Sequence, residues 1–473
     1  MLYVGLLVIA IAALGFMVAL HLWFWSRYYA HDDSAVDEVH WLTTDDGWRL
    51  ALTRYRGDTP RGQPLLLCHG LGANHFIFDV APRVSLARYL KKRGWDVWLL
   101  DLRGVGTSEQ PTPFNQRQWS WNVEDYLEHD IPAAIEYVCQ RTHSPALHWI
   151  GHSMGALLMY PYLQGPGAKR IRSFTAIAAP AFFEVGHPLL GLLSLSHLLR
   201  WRRSIPTRTF ARLLAPMALS MRLRLTFLHV GNVEGPVLRR FLSLALANLS
   251  TRVVRTMSRW VQEAKWDMDQ HDVQSGLATI RTPTLLIAGE ADPVAPPSDA
   301  RRVLEHMQDN ATLHILGRRH GQVDDYGHTD LLIGRDAATE CFPLIGEWLE
   351  ERAADFLPTP MPDGHAAPTL QTMDEGDERL LPPSPPTLEG PYGLLNRFSP
   401  TRRQRWHRER KRFRRAEEAR YQAYLTRQKR LLRRGATLTT PPPQATAAPH
   451  RETAAAPNAA PPDAAPHTPE PKA

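Results

Sequence analysis

The chain has 473 residues, 44% of them hydrophobic and 9% aromatic, enough to bury a large core and too apolar for a wholly disordered protein. Its formal net charge of +7 is a local feature: between Thr401 and Gly435, 15 Lys or Arg face three acids, a surplus of 12 that leaves the rest of the chain at −5. Three cysteines, Cys68, Cys139 and Cys341, are an odd number set inside apolar runs, which excludes a disulfide framework and reads as buried free thiols.

The first predicted element is a membrane span over residues 1–30. Leu2 to Trp25 carry no formal charge, and as a helix they reach about 36 Å, longer than a hydrocarbon core of about 30 Å. Trp23, Trp25, Tyr28 and Tyr29 would lie at the headgroups. A basic n-region and a small-residue cleavage site are both missing, so an uncleaved single-pass anchor is expected rather than a signal peptide. Arg27, Arg49, Arg54 and Arg56 follow the span and favour the body on the cytoplasmic side.

From residue 36 to 354 strand-like and helix-like segments alternate. VHWLTT and WRLALTRY flank Asp45-Asp46-Gly47 as a β-hairpin. PLLLC, WDVWLLD, ALHWI, SFTAIA, TLLIAG and ATLHIL follow as short apolar runs. SLARYLKKRG, Val123 to Gln140 and ALLMYPYL lie between them as helix formers. Continuous rather than alternating apolar runs predict an α/β fold with a buried, mostly parallel sheet flanked by helices. Residues 181–280 exceed what the sheet needs and read as an inserted helical cap, whose many leucines serve either a hydrophobic acyl pocket or the cap's own core. Beyond the fold, residues 355–400 form a Pro-rich linker. Residues 401–435 make a basic helix, with either an anionic lipid surface or no partner, nucleic acid being disfavoured because no recognition motif accompanies the charge. Residues 436–473 form a disordered Ala/Pro/Thr tail.

Within this pattern Gly151-His152-Ser153-Met154-Gly155 falls between a buried strand and a helix. That is the setting of a nucleophile elbow, where a sharp turn leaves no room for side chains at the flanking glycines. A serine hydroxyl needs a base and an acid, in the chain order Ser, Asp, His for such a fold. Asp292 follows the strand TLLIAG, and His328 lies 36 residues later in DYGHTDLLIGRDA; His320 in GRRHG competes as base, and His328 is preferred because it opens the final helix. His69-Gly70-Leu71-Gly72, directly after PLLLC, offers the Leu71 amide as an oxyanion donor together with that of Met154.

HGLG, DLRGVGTSE, GHSMG, GEADPVAPP and YGHTDLLIGRDA, in that order, resemble the α/β-hydrolase superfamily, chiefly its acid-lipase-like and lipase/esterase branches, over roughly residues 36–352. The resemblance implies Ser153 as nucleophile, Asp292 as acid, His328 as base, and the Leu71 and Met154 amides as oxyanion donors. Asp101 and Arg103 match a structural motif. A likeness to polyhydroxyalkanoate synthases is also present, but those carry cysteine at the elbow. The implied function is a membrane-anchored serine esterase or lipase acting on hydrophobic carboxylic esters, with no metal or organic cofactor. An acyltransferase with the same triad, and a non-catalytic membrane scaffold working through its basic C-terminal segment, are the alternatives.

Overall fold

A computed structural model describes residues 2–28, 33–57, 63–112, 115, 117–182, 203–215, 228–263, 265–268 and 271–354, all in the compact unit Met1–Gly364. The linker, basic helix and tail expected over 355–473 lie outside the described residues. Helix α1 (Leu2–Tyr28) opens the chain. Its stretch Tyr3–His21 has a mean hydropathy of 2.6 and is long and apolar enough to cross a membrane.

Eight strands form one sheet: β1 (Glu38–Thr43), β2 (Arg49–Tyr55), β3 (Pro64–Cys68), β4 (Asp96–Asp101), β5 (Leu147–His152), β6 (Ile171–Ile177), β7 (Thr284–Gly289) and β8 (Ala311–Leu316). Their order is β1-β2-β4-β3-β5-β6-β7-β8. The β1–β2 hairpin is antiparallel, β2 pairs antiparallel with β4, and every later pairing is parallel. Inside β3 and β4 side chains alternate between the two hydrophobic cores. Leu66, Trp98 and Leu100 enter one core and Leu65, Leu67, Val97 and Leu99 the other. Both faces are thus covered, which is why these strands read as unbroken apolar runs.

On one face lie α3 (Ile131–Thr142), α4 (Met154–Leu163) and α8 (Pro297–Met307); on the other lie α2 (Leu86–Lys92) and α9 (Phe342–Ala354). The α4 segment breaks at Leu158, because Pro161 has no N–H to give the carbonyl of Leu157. His328 does not open the final helix as the sequence suggested. It precedes two short helical turns, Asp330–Ile333 and Ala337–Glu340, and α9 begins only at Phe342. Gly334 turns the chain into extended conformation there, and a Cβ on it would come within 2.4 Å of the Asp330 carbonyl oxygen. The three cysteines are buried and free, as their settings suggested.

Between β6 and β7 the described part of the insert is mainly helical: α5 (Thr207–Leu214), α6 (Gly235–Arg240) and α7 (Thr251–Glu263). It is tied to the loop after β3. Ala247 donates its N–H to the Gly72 carbonyl at 2.8 Å, and Asn74 donates its N–H to the Ala245 carbonyl at 3.0 Å. It is tied equally to the loop before α9, where the Asn232 amide donates to the Asp325 carbonyl at 2.7 Å and to the Asp330 carboxylate at 2.8 Å.

Candidate active site

Ser153 stands where β5 ends and α4 begins, with φ 53° and ψ −118°. A non-glycine residue in the left-handed half of the map is strained, and it persists only where the surroundings over-determine it. Here they do. A Cβ on Gly151 would lie 2.4 Å from the Ala156 nitrogen, and one on Gly155 would lie 2.3 Å from the Cys68 carbonyl oxygen. Ser153 itself is pinned by its N–H, which donates to the Ile177 carbonyl at 2.9 Å. The turn lifts the hydroxyl above the C-terminal ends of the strands, where parallel sheets build their sites.

The other two residues come from loops on the same edge. Asp292 sits in the turn after β7, and one carboxylate oxygen accepts the N–H groups of Val294 at 2.7 Å and Ala295 at 3.0 Å. Ala291 donates its N–H to the Tyr326 carbonyl at 2.8 Å, which joins this turn to the loop carrying His328. The remaining Asp292 oxygen accepts from His328 Nδ1 at 2.8 Å, and His328 Nε2 lies 2.8 Å from Ser153 Oγ. With its Nδ1 proton directed at the carboxylate, the imidazole presents Nε2 as the acceptor for the serine hydroxyl. Ser153, Asp292 and His328 are 9%, 3% and 5% exposed. The chain of three is therefore nearly dry. His320, the competing base, lies elsewhere: it is exposed, with Nε2 3.4 Å from Glu290.

Leu71 and Met154 flank the serine. Met154 is its neighbour at the first position of α4. Leu71 follows Gly70, whose backbone approaches so closely that a Cβ there would be 2.9 Å from Ser153 Cβ. The loop that carries Leu71 is held by its own histidine, His69, which accepts the Leu102 N–H at Nε2 (3.3 Å) and donates from Nδ1 to the Gly70 carbonyl (2.9 Å). Asp101 and Arg103 are structural, as the motif implied. Asp101 accepts from the His75 ring at 2.6 Å and from the backbone of His75 and Thr107; Arg103 is buried against Asp130 and Asp46.

Sequence reasoning passed over two residues that shape the site. His152, between the elbow glycine and the serine, is buried and donates Nε2–H to the His328 carbonyl at 3.0 Å. Burial foremost, and then the neighbouring charge of His328, push its pKa down to about 3, so it stays neutral. Its position in GHSMG was the available signal. Asp330 is the second. Its carboxylate accepts the Gly327 N–H at 2.9 Å as well as the Asn232 amide, and so fixes the backbone beside His328. The cap partner of Asp330 has no local signature in the sequence.

Residues 63–334, more than half of the chain, match the model of the alpha/beta hydrolase fold family. The chain is 33% identical to Lipase 1 of Drosophila melanogaster over 166 residues, 33% of this chain and 37% of that one. It is 25% identical to lipase member K of Mus musculus over 360 residues, covering 66% of this chain and 88% of that one. Among solved structures, an esterase from Exiguobacterium antarcticum is similar at 18% identity and a TM-score of 0.46, covering 66% of this chain and 98% of that one. A buried Ser–His–Asp chain at the strand ends, the sheet order and the matched residues point the same way: this chain belongs to the alpha/beta hydrolase fold family.

Proposed function

We propose that the chain is a membrane-anchored serine hydrolase that cleaves hydrophobic carboxylic esters through an acyl-enzyme. The observation that carries this reading is the bridge made by His328, 2.8 Å from Ser153 Oγ on one side and 2.8 Å from Asp292 on the other. In the first half-reaction Ser153 Oγ attacks the ester carbonyl carbon while His328 Nε2 takes its proton, and Asp292 stabilises the imidazolium. The Leu71 and Met154 amides receive the negative charge on the carbonyl oxygen. Collapse of the tetrahedral intermediate expels the alcohol, which His328 protonates. Water then attacks the acyl-serine with His328 again as base, releasing the carboxylic acid and restoring the hydroxyl. These side chains, amides and water suffice for the chemistry.

The lipase names of the relatives and the apolar span at the N-terminus support a hydrophobic ester met at a bilayer. The arginines Arg27, Arg49, Arg54 and Arg56 that follow the span support a body on the cytoplasmic side. A fluorescent fluorophosphonate applied to membranes carrying the full chain tests the reading. Wild type should label and Ser153→Ala should not, while p-nitrophenyl esters of graded length report the acyl preference. A folded wild type that neither labels nor hydrolyses any ester would refute it.

A further inference from the structure

Among the buried side-chain polar atoms that lack a hydrogen-bond partner, two lie together at the seam between the cap and the loop after β3. Helix α5 turns Arg208 and Arg212 inward, one helical turn apart on the same face, while Phe210 between them is 59% exposed. Both guanidiniums are partly buried, and among the described residues neither has a carboxylate within ion-pair distance. Arg208 Nε is buried without a hydrogen-bond partner. Arg212 Nε donates to the Ser243 carbonyl at 2.9 Å, and the hydroxyl of that same serine, on a residue 1% exposed, is also unpartnered. Burial lowers the pKa of Arg208 and, helped by the charge of Arg208, takes that of Arg212 down to about 10. The acid whose charge favours Arg208 is Asp101, but its carboxylate already accepts from His75 and Thr107.

Two guanidiniums remain charged at neutral pH, and holding them half out of water beside each other costs free energy unless an anion completes the site. Planar guanidinium forks suit an oxoanion that accepts two hydrogen bonds at once. The place matters as much as the charge. The Thr207 hydroxyl is bonded to the Ala247 carbonyl, and the N–H of Ala247 to Gly72, so the arginine helix is linked to the loop that carries Leu71. The whole insert, residues 181–280, holds 13 Lys or Arg against six acids, so the surrounding field also favours an anion.

We propose that Arg208, Arg212 and Ser243 form a recognition site for the oxoanion of a lipid headgroup, a phosphate or carboxylate held beside the loop of the oxyanion donors. The site selects amphiphiles that carry an ester and a negative charge. This extends the hydrolase reading to a substrate class, and it rests on that reading only for the kinetic half of its test.

The binding half uses the full chain with Ser153→Ala in neutral detergent, so that no turnover intervenes. Added dodecanoyl lysophosphatidylglycerol should raise the melting temperature, and the double substitution Arg208→Gln, Arg212→Gln should abolish the rise. Arg259→Gln, which removes an exposed cap arginine, should leave it unchanged. The double variant without ligand should melt no lower than the parent, since it relieves an unpaired buried charge, and Arg208→Lys with Arg212→Lys should retain part of the shift. In the kinetic half, the double variant should raise KM for the anionic lysolipid about tenfold, the scale of a lost charge-assisted pair, and leave monododecanoylglycerol unaffected. An equal loss in Arg259→Gln, or an equal rise with inorganic phosphate, would overturn the headgroup site. If wild type hydrolyses neither these esters nor any p-nitrophenyl ester and takes no fluorophosphonate label, the hydrolase reading falls while the melting data still judge the arginines.

Discussion

Two buried imidazole–carboxylate pairs sit at the strand ends of this fold, and they are near copies in local geometry. His328 meets Asp292 at 2.8 Å and His75 meets Asp101 at 2.6 Å. Each aspartate follows or ends a strand, and each spends its remaining capacity on backbone N–H groups, those of Val294 and Ala295 in one case and of His75 and Thr107 in the other. The difference lies on the far side of the ring. His328 Nε2 reaches a serine held in a strained turn, whereas His75 faces a groove of ≈ 390 Å³ shared with Asp33, Val36, Val39, Thr53, Phe76 and Thr107. A buried His–Asp pair is thus a way to fix a loop as readily as a way to hold a base, and the third partner decides which.

The largest expected effects break that comparison on the reactive side. Ser153→Ala should lower turnover on the order of 10⁴-fold or more, measured as kcat on a p-nitrophenyl ester, with the melting temperature nearly unchanged. Asp292→Asn should cost on the order of 10⁴-fold, because an amide in place of the carboxylate favours the wrong imidazole tautomer. Asp101→Asn should reverse the pattern. Leaving His75 without its carboxylate partner should destabilise the protein by about 3–5 kcal/mol in denaturant unfolding, while the folded fraction retains its fluorophosphonate labelling. Burial raises the Asp101 pKa, but the His75 charge and the hydrogen bonds from His75 and Thr107 outweigh it, and the net pKa is below the ordinary value. Its stabilisation is therefore full above about pH 4 and fades as the pH falls through the depressed value, so the variant should lose that limb of acid denaturation. Equal loss of turnover in Asp101→Asn and Asp292→Asn at equal folded fraction would dissolve the distinction.

The reactive pair was legible in the sequence and the structural pair was not, for a physical reason. Ser153 is announced by glycines whose need is local and steric, Asp292 by a strand that ends at Gly289 just before it, and His328 by its place after Ser153 and Asp292 in the motif YGHTDLLIGRDA. The bond between His75 and Asp101 joins the loop after β3 to the end of β4, 26 residues apart, through a histidine that no glycine or strand end marks. The sheet was legible because strands buried on both faces are built mostly of apolar residues. What could not be read was how the cap grips the body. Its contacts run from backbone groups such as those of Ala245 and Ala247, or from single side chains such as Asn232, to distant loops. The inward turn of Arg208 and Arg212 was equally hidden, because a sequence gives their charge and not their burial.

Smaller effects come from histidines that burial keeps neutral, the opposite of the carboxylates above. His148, bonded to Ser173 and Gln63 at 2.7 Å each, has its pKa pushed down to about 3 by burial and then by the charge of Arg172. An unfolded histidine takes a proton near pH 6.5. Between about pH 6.5 and 3 the unfolded chain therefore binds a proton that the native chain refuses, so stability declines as the pH falls through that window. His148→Gln should reduce the slope of unfolding free energy against pH by about 1.4 kcal/mol per unit in that range, as followed by urea titrations at pH 6, 5 and 4. An unchanged slope would show that His148 is protonated in the native state.

The smallest effect tests what keeps His328 aimed. Asn232 reaches from the cap to Asp330, a carboxylate whose pKa is raised by burial and which also accepts the N–H of Gly327, next to the histidine. Asn232→Ala removes one donor from a buried acceptor, a loss of about 1–2 kcal/mol. The carboxylate then loses some of its hold on Gly327, and the imidazole spends less time within reach of Ser153. Turnover should fall by about tenfold or less with KM little altered, and Asn232→Asp, which sets two carboxylates against each other, should do worse than alanine. If both variants change only the melting temperature, the cap supports the fold without steering the base, and His328 owes its aim to Asp292 and the Tyr326 contact alone.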